Sequence, residues 1–197
     1  DFFMFGSGFG DDEADMTPVY ESVIDYEKKD LIEEKVLIPA SSVKGAISHR
    51  TTYYYNLLND KFINKGGNAD IVESIFGAKK DKEKDSFKGN ILISDVYLDK
   101  TSSKVFDHVS IDRFTGGAID SALFQEKTIA SKETFILEIL INENKVKEKV
   151  ALEAFKKALE DITTGMLSLG GAATKGHGIF SGKVLKNGVE IWKQKNN

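Results

Sequence analysis

Apolar positions along the chain change their period several times, and those changes predict the elements. The clearest helical pattern covers 150–167, where Val150, Leu152, Phe155, Leu159, Ile162 and Met166 recur every three to four residues. A second helix is predicted after Pro39. Val43, Ile47, Tyr54, Leu57 and Leu58 lie roughly on one helical face, and Ser41 or Ser42 suits the N-cap. Ile71 to Phe76 reads as one short amphipathic helix. Strand patterns occur at Phe2–Phe5, Val19–Ile24, Val36–Ile38, Ile91–Leu98, Phe135–Ile141 and Ile179–Leu185. Asn187-Gly188 reads as a tight turn. Residues 25–35 read as a polar connection and 99–106 as a turn. An insertion over 60–90 carries Gly66-Gly67 and a mixed-charge run at 79–85 that reads as an exposed loop. Helices among several strands predict an α+β fold with a helix-covered sheet.

Composition narrows the class. The chain has 197 residues, 41% of them apolar, enough for one sizeable core. It has no cysteine, which rules out disulfides and thiolate-bound metal and fits a reducing cytoplasm. No apolar run approaches membrane-spanning length, so a cytoplasmic protein without membrane attachment is expected. The formal net charge of −4 argues against a free-standing nucleic-acid binder but not against a local basic groove. The opening segment reads like the end of a strand, so a further strand upstream is expected.

Candidate chemistry gathers at four places. Thr164 to Gly182 holds six of the seventeen glycines, with Thr174, Lys175 and His177 among them. Exposed N–H groups beside a lysine suit a phosphate; a plain glycine-rich turn is the other reading. Ser41, Ser42 and Lys44 put hydroxyls and a cation at a helix start, with His49 and Arg50 further on; an ordinary capped helix would look the same. Both places lie where strand meets helix, so they are expected to line one groove. Residues 107–130 form a long segment whose head, Arg113, Phe114 and Thr115, offers a cation, a stacking ring and a donor; a hairpin with Phe114 in the core is the alternative. Asp11, Asp12, Glu13 and Asp15 make an acidic run, solvated or placed beside a reacting phosphate. No pair of histidines suggests an acid–base couple of the ribonuclease-A type.

Four motifs in order resemble the RAMP superfamily, the repeat-associated proteins that form the backbone of type III CRISPR effector complexes. They are Phe5-Gly6-Ser7-Gly8, Ile38-Pro39-Ala40-Ser41-Ser42-Val43-Lys44-Gly45, the run from His108 through Arg113-Phe114-Thr115-Gly116-Gly117 to Ala118, and Leu169-Gly170-Gly171-Ala172-Ala173-Thr174-Lys175-Gly176-His177-Gly178. The resemblance implies a single RAMP domain over 1–197 with a ferredoxin-like, RRM-type core, an inserted loop and helix region, and a protruding β-hairpin thumb around 107–130. It implies a subunit that stacks along guide RNA, with other effector subunits or copies of itself as partners. The thumb would wedge the guide–target duplex. The Ser-Ser turn and the Gly-rich loop would hold the guide backbone through Ser41, Ser42, Lys44, Arg50, Thr174, Lys175 and His177.

In relatives that cut target RNA, a carboxylate lies between the first Gly-x-Gly and a Ser/Thr-Pro step. Asp15, just before Thr17-Pro18, matches that pattern, with Asp12 in reserve. The implied chemistry is attack by a 2′-hydroxyl on the scissile phosphate, with Asp15 holding Mg²⁺ or Mn²⁺ or assisting proton transfer. Ala40 stands where the family often has Gly. A non-cutting structural subunit is the alternative, and a stand-alone guide-processing endoribonuclease a third reading.

Overall fold

The structure, a computed structural model, describes residues 2–27, 29–62, 70–78 and 86–191. The charged run at 79–85, the Gly66-Gly67 pair and the tail around Trp192 lie outside the described residues. In chain order the strands are β1 (Phe2–Phe3), β2 (Tyr20–Asp25), β3 (Asp30–Ile38), β4 (Gly77–Ala78), β5 (Phe87–Lys88), β6 (Ile91–Ile93), β7 (Val96–Leu98), β8 (Thr101–Ile111), β9 (Ala118–Ser131), β10 (Ile139–Ile141), β11 (Leu185–Lys186) and β12 (Val189–Glu190). The α-helices are α1 (Ala40–Leu58), α2 (Asp70–Phe76) and α3 (Lys149–Thr163). The fold is α+β with small antiparallel sheets, in keeping with a ferredoxin-like expectation. Among the described residues, no helix is long and apolar enough to cross a membrane.

The chain divides into two compact units. The first comprises 1–39, 95–136 and 170–178. Its main feature is the ribbon of β8 and β9, paired antiparallel from Thr101↔Ser131 to Ile111↔Ala118. β1 adds to the far edge of β9, with Phe2 opposite Ala130. A second sheet has the order β2-β3-β7. Phe3, Met4, Phe5, Ile38, Leu98 and Ile129 are buried in this unit. Two stretches expected to be irregular are strands here. Residues 30–35 pair with β2, and Thr101–Phe106 pair with β9, in place of the polar connection and turn. A ribbon with wet faces needs no apolar alternation, so hydropathy passes over it.

The second unit comprises 40–94, 137–169 and 179–197. α1 packs on α3, and their buried faces differ from the predicted ones. α3 buries Ala151, Ala154, Phe155, Ala158, Asp161 and Ile162, whereas Met166 lies beyond its end and is exposed. An alanine stripe allows close helix approach, which a reading weighted toward leucine overlooks. α1 buries Val43, Ile47, Ser48, Thr51, Thr52, Tyr55 and Asn56, while Leu57 and Leu58 face solvent. The buried hydroxyls donate within the helix, Thr51 Oγ1 to the Ile47 carbonyl at 2.7 Å and Thr52 Oγ1 to the Ser48 carbonyl at 3.1 Å. A polar side chain can be core when it carries its own acceptor.

Three strand expectations are also corrected. Ile91–Leu98 is two strands, because Ile91–Ile93 pairs with β10 whereas Val96–Leu98 pairs with β3. Only Ile139–Ile141 of the 135–141 run is paired. Residues 179–184 form no ladder, and β11 begins at Leu185. The Asn187-Gly188 turn is present, with φ of 51° and 81° between β11 and β12.

Candidate nucleic-acid interface

Directly opposed residues of an antiparallel ribbon share a face. Phe106 opposes Glu126 and His108 opposes Phe124, so one face of the ribbon carries all four. The Gly-rich segment lies on this face. Glu126 is 1% exposed. Its Oε2 accepts from Lys175 Nζ at 2.5 Å and lies 3.0 Å from His108 Nε2. Its Oε1 is 3.7 Å from His177 Nδ1, too far for a hydrogen bond, and both atoms are buried without a partner. Burial pushes the Glu126 carboxyl up. The Lys175 hydrogen bond and charge, then His108 and His177, outweigh burial and hold it below the ordinary glutamate range. Lys175 also lies over the Phe124 ring, 5.1 Å from its centroid. The two histidines that the sequence keeps 69 residues apart thus meet at one carboxylate. Glu126 is a functional candidate that sequence reasoning missed, and His108 entered it only as the first residue of a motif; the signal for Glu126 was a charged residue within a strand.

Five of the N–H groups expected to form a cradle are used within the protein. The amides of Gly171 and Gly178 donate to the Met4 and Phe2 carbonyls at 2.7 and 2.8 Å. Those of Lys175 and His177 donate to Ala172, and that of Gly176 to Ala173. The glycines therefore serve the fold. Gly170 has φ +90°, and a Cβ there would sit 2.4 Å from the Met4 carbonyl oxygen. Gly171 does not take a positive φ, whereas Ala172 does. What the segment offers outward is side chains: Thr174 and Lys175 are exposed, and His177 is mostly covered.

Successive strand residues point to opposite faces. On the other face of the ribbon, Lys127 Nζ donates to Glu13 at 2.7 Å and to Asp11 at 3.2 Å. The acidic run follows the edge of β9, with the Met16 N–H donating to the Gln125 carbonyl and the Lys127 N–H to that of Met16. Asp11 accepts the Glu13 and Ala14 amides, which together with Lys127 hold its carboxyl below the ordinary aspartate range. Asp15 is exposed, and its Oδ2 accepts the Gln125 N–H at 2.7 Å. Asp12 is exposed and takes no part in these contacts. Among the described residues, no group of three or more His, Asp or Glu side chains could hold a metal ion.

The ribbon tip is pre-set. Asp112 Oδ1 accepts the Phe114 and Thr115 amides at 2.7 and 2.9 Å, and Thr115 Oγ1 accepts the Gly117 N–H. Arg113 is exposed, and Phe114 is 100% exposed, which removes the reading of Phe114 as core.

In the second unit α1 begins at Ala40, directly after Pro39, so Ser41 and Ser42 lie inside its first turn rather than at the cap. Proline needs no N–H partner at a helix start, which lets the helix begin early. Both serines are exposed, and Lys44 has no ion-pair partner among the described residues. Arg50 is placed differently. Its Nε donates to Asp161, and its guanidinium lies over the Tyr53 and Tyr54 rings at 5.1 and 5.4 Å. The Tyr54 hydroxyl also donates to Asp161, at 2.9 Å; burial first and this bond second push the phenol up. Arg50 is thus turned toward the protein, and His49 is exposed.

The RAMP superfamily model matches residues 21–181. The chain belongs to the RAMP superfamily. No curated protein matches it. Membership brings CRISPR association and RNA binding as the general function of this RAMP chain. The match spans the helix start at Ser41–Lys44, the whole β8–β9 ribbon and the motif Leu169–Gly178.

Proposed function

We propose that this chain is a guide-RNA-binding backbone subunit of a type III CRISPR effector complex that also cleaves complementary target RNA. One observation carries the reading. Adjacent residues of β9, Gln125 and Glu126, hold the candidate cutting carboxylate of Asp15 and the candidate phosphate contact of Lys175. Phosphate contacts of this kind position a strand without reading its sequence, and base pairing with the guide supplies specificity. In the cleavage step the 2′-oxygen attacks the neighbouring phosphorus and the bond to the 5′-oxygen breaks. The 2′-hydroxyl proton leaves to a base, and the 5′-oxygen takes one up. Asp15, with Oδ2 fixed by Gln125, keeps Oδ1 for a proton or a divalent cation. A bound Mg²⁺ or Mn²⁺ would neutralise charge developing on the phosphate.

The second reading is a structural subunit that binds RNA without cutting. The Asp15–Gln125 hydrogen bond favours it, because that bond gives the carboxylate a role in tying the loop to β9. Co-expression with neighbouring subunits and a repeat array tests the shared part: RNA beginning with repeat sequence should copurify, and clean protein would remove the backbone role. Asp15→Ala separates the two readings. Guide retention should survive while target cleavage falls by about 10²-fold or more if Asp15 moves a proton. Unchanged cleavage in the variant removes Asp15 from the chemistry.

A further inference from the structure

The β8–β9 ribbon is polarised across its thickness. One face carries Lys104, Phe106 and His108 on β8, with Lys175 packed over Phe124. The carboxylate at its centre, Glu126, is 1% exposed, whereas the Lys175 side chain keeps 36% of its surface in solvent. The negative charge is deep and the positive charges are at the rim. The other face reverses this: Lys127 is mostly covered by Asp11 and Glu13, and Asp107 accepts from the Gln125 side chain. The first face therefore attracts a polyanion more strongly than the second.

Within the first face Glu126 is only half satisfied. Lys175 donates to Oε2 and His108 Nε2 lies 3.0 Å from it, while Oε1 and the facing His177 Nδ1 are orphaned in the interior. Buried carboxylates usually have both oxygens bonded. Here the hydrogen bond falls on the oxygen that meets the ammonium. An ammonium has three donors. One is directed inward to Glu126, a neighbouring one lies 3.1 Å from His108 Nε2, and the exposed side of Lys175 remains for a ligand.

We propose that Glu126 is a positioning residue that aims Lys175 at an RNA phosphodiester on the Lys104–His108 face of the ribbon. The proposal rests on the RNA-binding reading above and adds which face the RNA backbone meets and which residue sets the contact. Without its anchor the long lysine stem samples many rotamers, and ordering it again on binding weakens the contact. His108 and Phe124 complete the wall against which Lys175 is held.

The test titrates the full chain with fluorescein-labelled poly(U) at several KCl concentrations, after each variant is checked by its thermal transition. Glu126→Gln has the shape of the native side chain. It removes a negative charge beside a polyanion, so simple Coulomb attraction would tighten binding. Positioning gives the opposite sign: affinity should fall about three- to tenfold, the worth of one ordinary hydrogen bond. In a Lys175→Ala background the same substitution should have no further effect. Lys175→Ala alone should flatten the slope of log affinity against log salt by about 0.7, one phosphate contact on a single strand. Lys44→Ala, in the other unit, tests RNA binding independently and should flatten it by a similar amount. If Lys44→Ala does so but Glu126→Gln leaves affinity unchanged or tighter, the positioning role is overturned and the RNA reading stands. A wild-type chain that does not bind poly(U) overturns both. Should Glu126→Gln not fold, Glu126→Asp withdraws the carboxylate by one methylene while keeping its charge; unchanged affinity in that variant likewise overturns the proposal.

Discussion

Each unit of the molecule contains one buried carboxylate paired with one cation, and the two pairs are built differently. Asp161 on α3 accepts from Arg50 Nε and from the Tyr54 hydroxyl, with both oxygens engaged. The guanidinium it holds is further covered by two tyrosine rings and donates to the Met166 carbonyl at 3.4 Å. Glu126 on β9 is more deeply buried, yet only one of its oxygens is bonded, and the ammonium it holds is more exposed than Arg50. A saturated pair joins two helices. A half-satisfied pair leaves its cation turned outward. The contrast assigns Arg50 to the packing of α1 on α3 and Lys175 to a ligand, although both are basic residues beside a motif that attracted attention in the sequence.

The largest way to test the contrast is Asp161→Ala. It strands a guanidinium and a phenol that share one acceptor. Breaking a buried pair costs about 3–5 kcal/mol, and partial exposure of Arg50 lowers the expectation to about 2–4 kcal/mol. Denaturant unfolding would measure it, and RNA affinity of the folded protein should not change. A loss below about 1 kcal/mol would mean that water already serves Arg50, and the contrast would fail on the helix side.

Gly170→Ala comes next. It forces a side chain into the left-handed region and against the Met4 carbonyl, so about 1–3 kcal/mol should be lost. Because Gly171 donates to the same carbonyl, the segment should also loosen from β1, and amide exchange at Gly171 and Gly178 should accelerate. Unaltered exchange would show that the segment is held by Lys175–Glu126 alone.

How far the sequence could be read follows the same division. The helices were legible because apolar residues recur with the helical period, and Asn187-Gly188 because that dipeptide accepts two positive φ values. The Gly-rich segment was legible as a special place but not in its workings. Its glycines look like a phosphate cradle in sequence, and only the partners Met4 and Phe2, more than 160 residues away, show that they seat the segment on β1. Glu126 was illegible for a related reason. It lies in a run of mixed character, and what makes it matter is the convergence of residues 108, 175 and 177, none a sequence neighbour. Local pattern reports period and turn chemistry; it does not report which distant cation meets a carboxylate.

The smallest expected effect is also the most diagnostic of how Glu126 differs from Asp161. At neutral pH Glu126→Gln should cost less than Asp161→Ala, about 1 kcal/mol or below. The glutamine oxygen meets Lys175 only as a neutral acceptor, a weaker anchor than the carboxylate, while its amide N–H can donate to His177 Nδ1 once a gap of 3.7 Å closes by less than an ångström. That would pair the two atoms the native side chain leaves orphaned. The acid limb should then separate wild type from variant. The folded-state pKa of Glu126 is lowered, so its contribution to stability is complete above the ordinary glutamate range, near about 4.3, and is lost as pH falls through the lower folded value. Wild type should therefore lose stability more steeply than Glu126→Gln in that window, and the difference between them should narrow toward low pH. Melting curves from neutral pH downward provide the measurement. Parallel curves would place the Glu126 charge in solvent contact, and the half-satisfied site would then be no different in kind from an exposed ion pair.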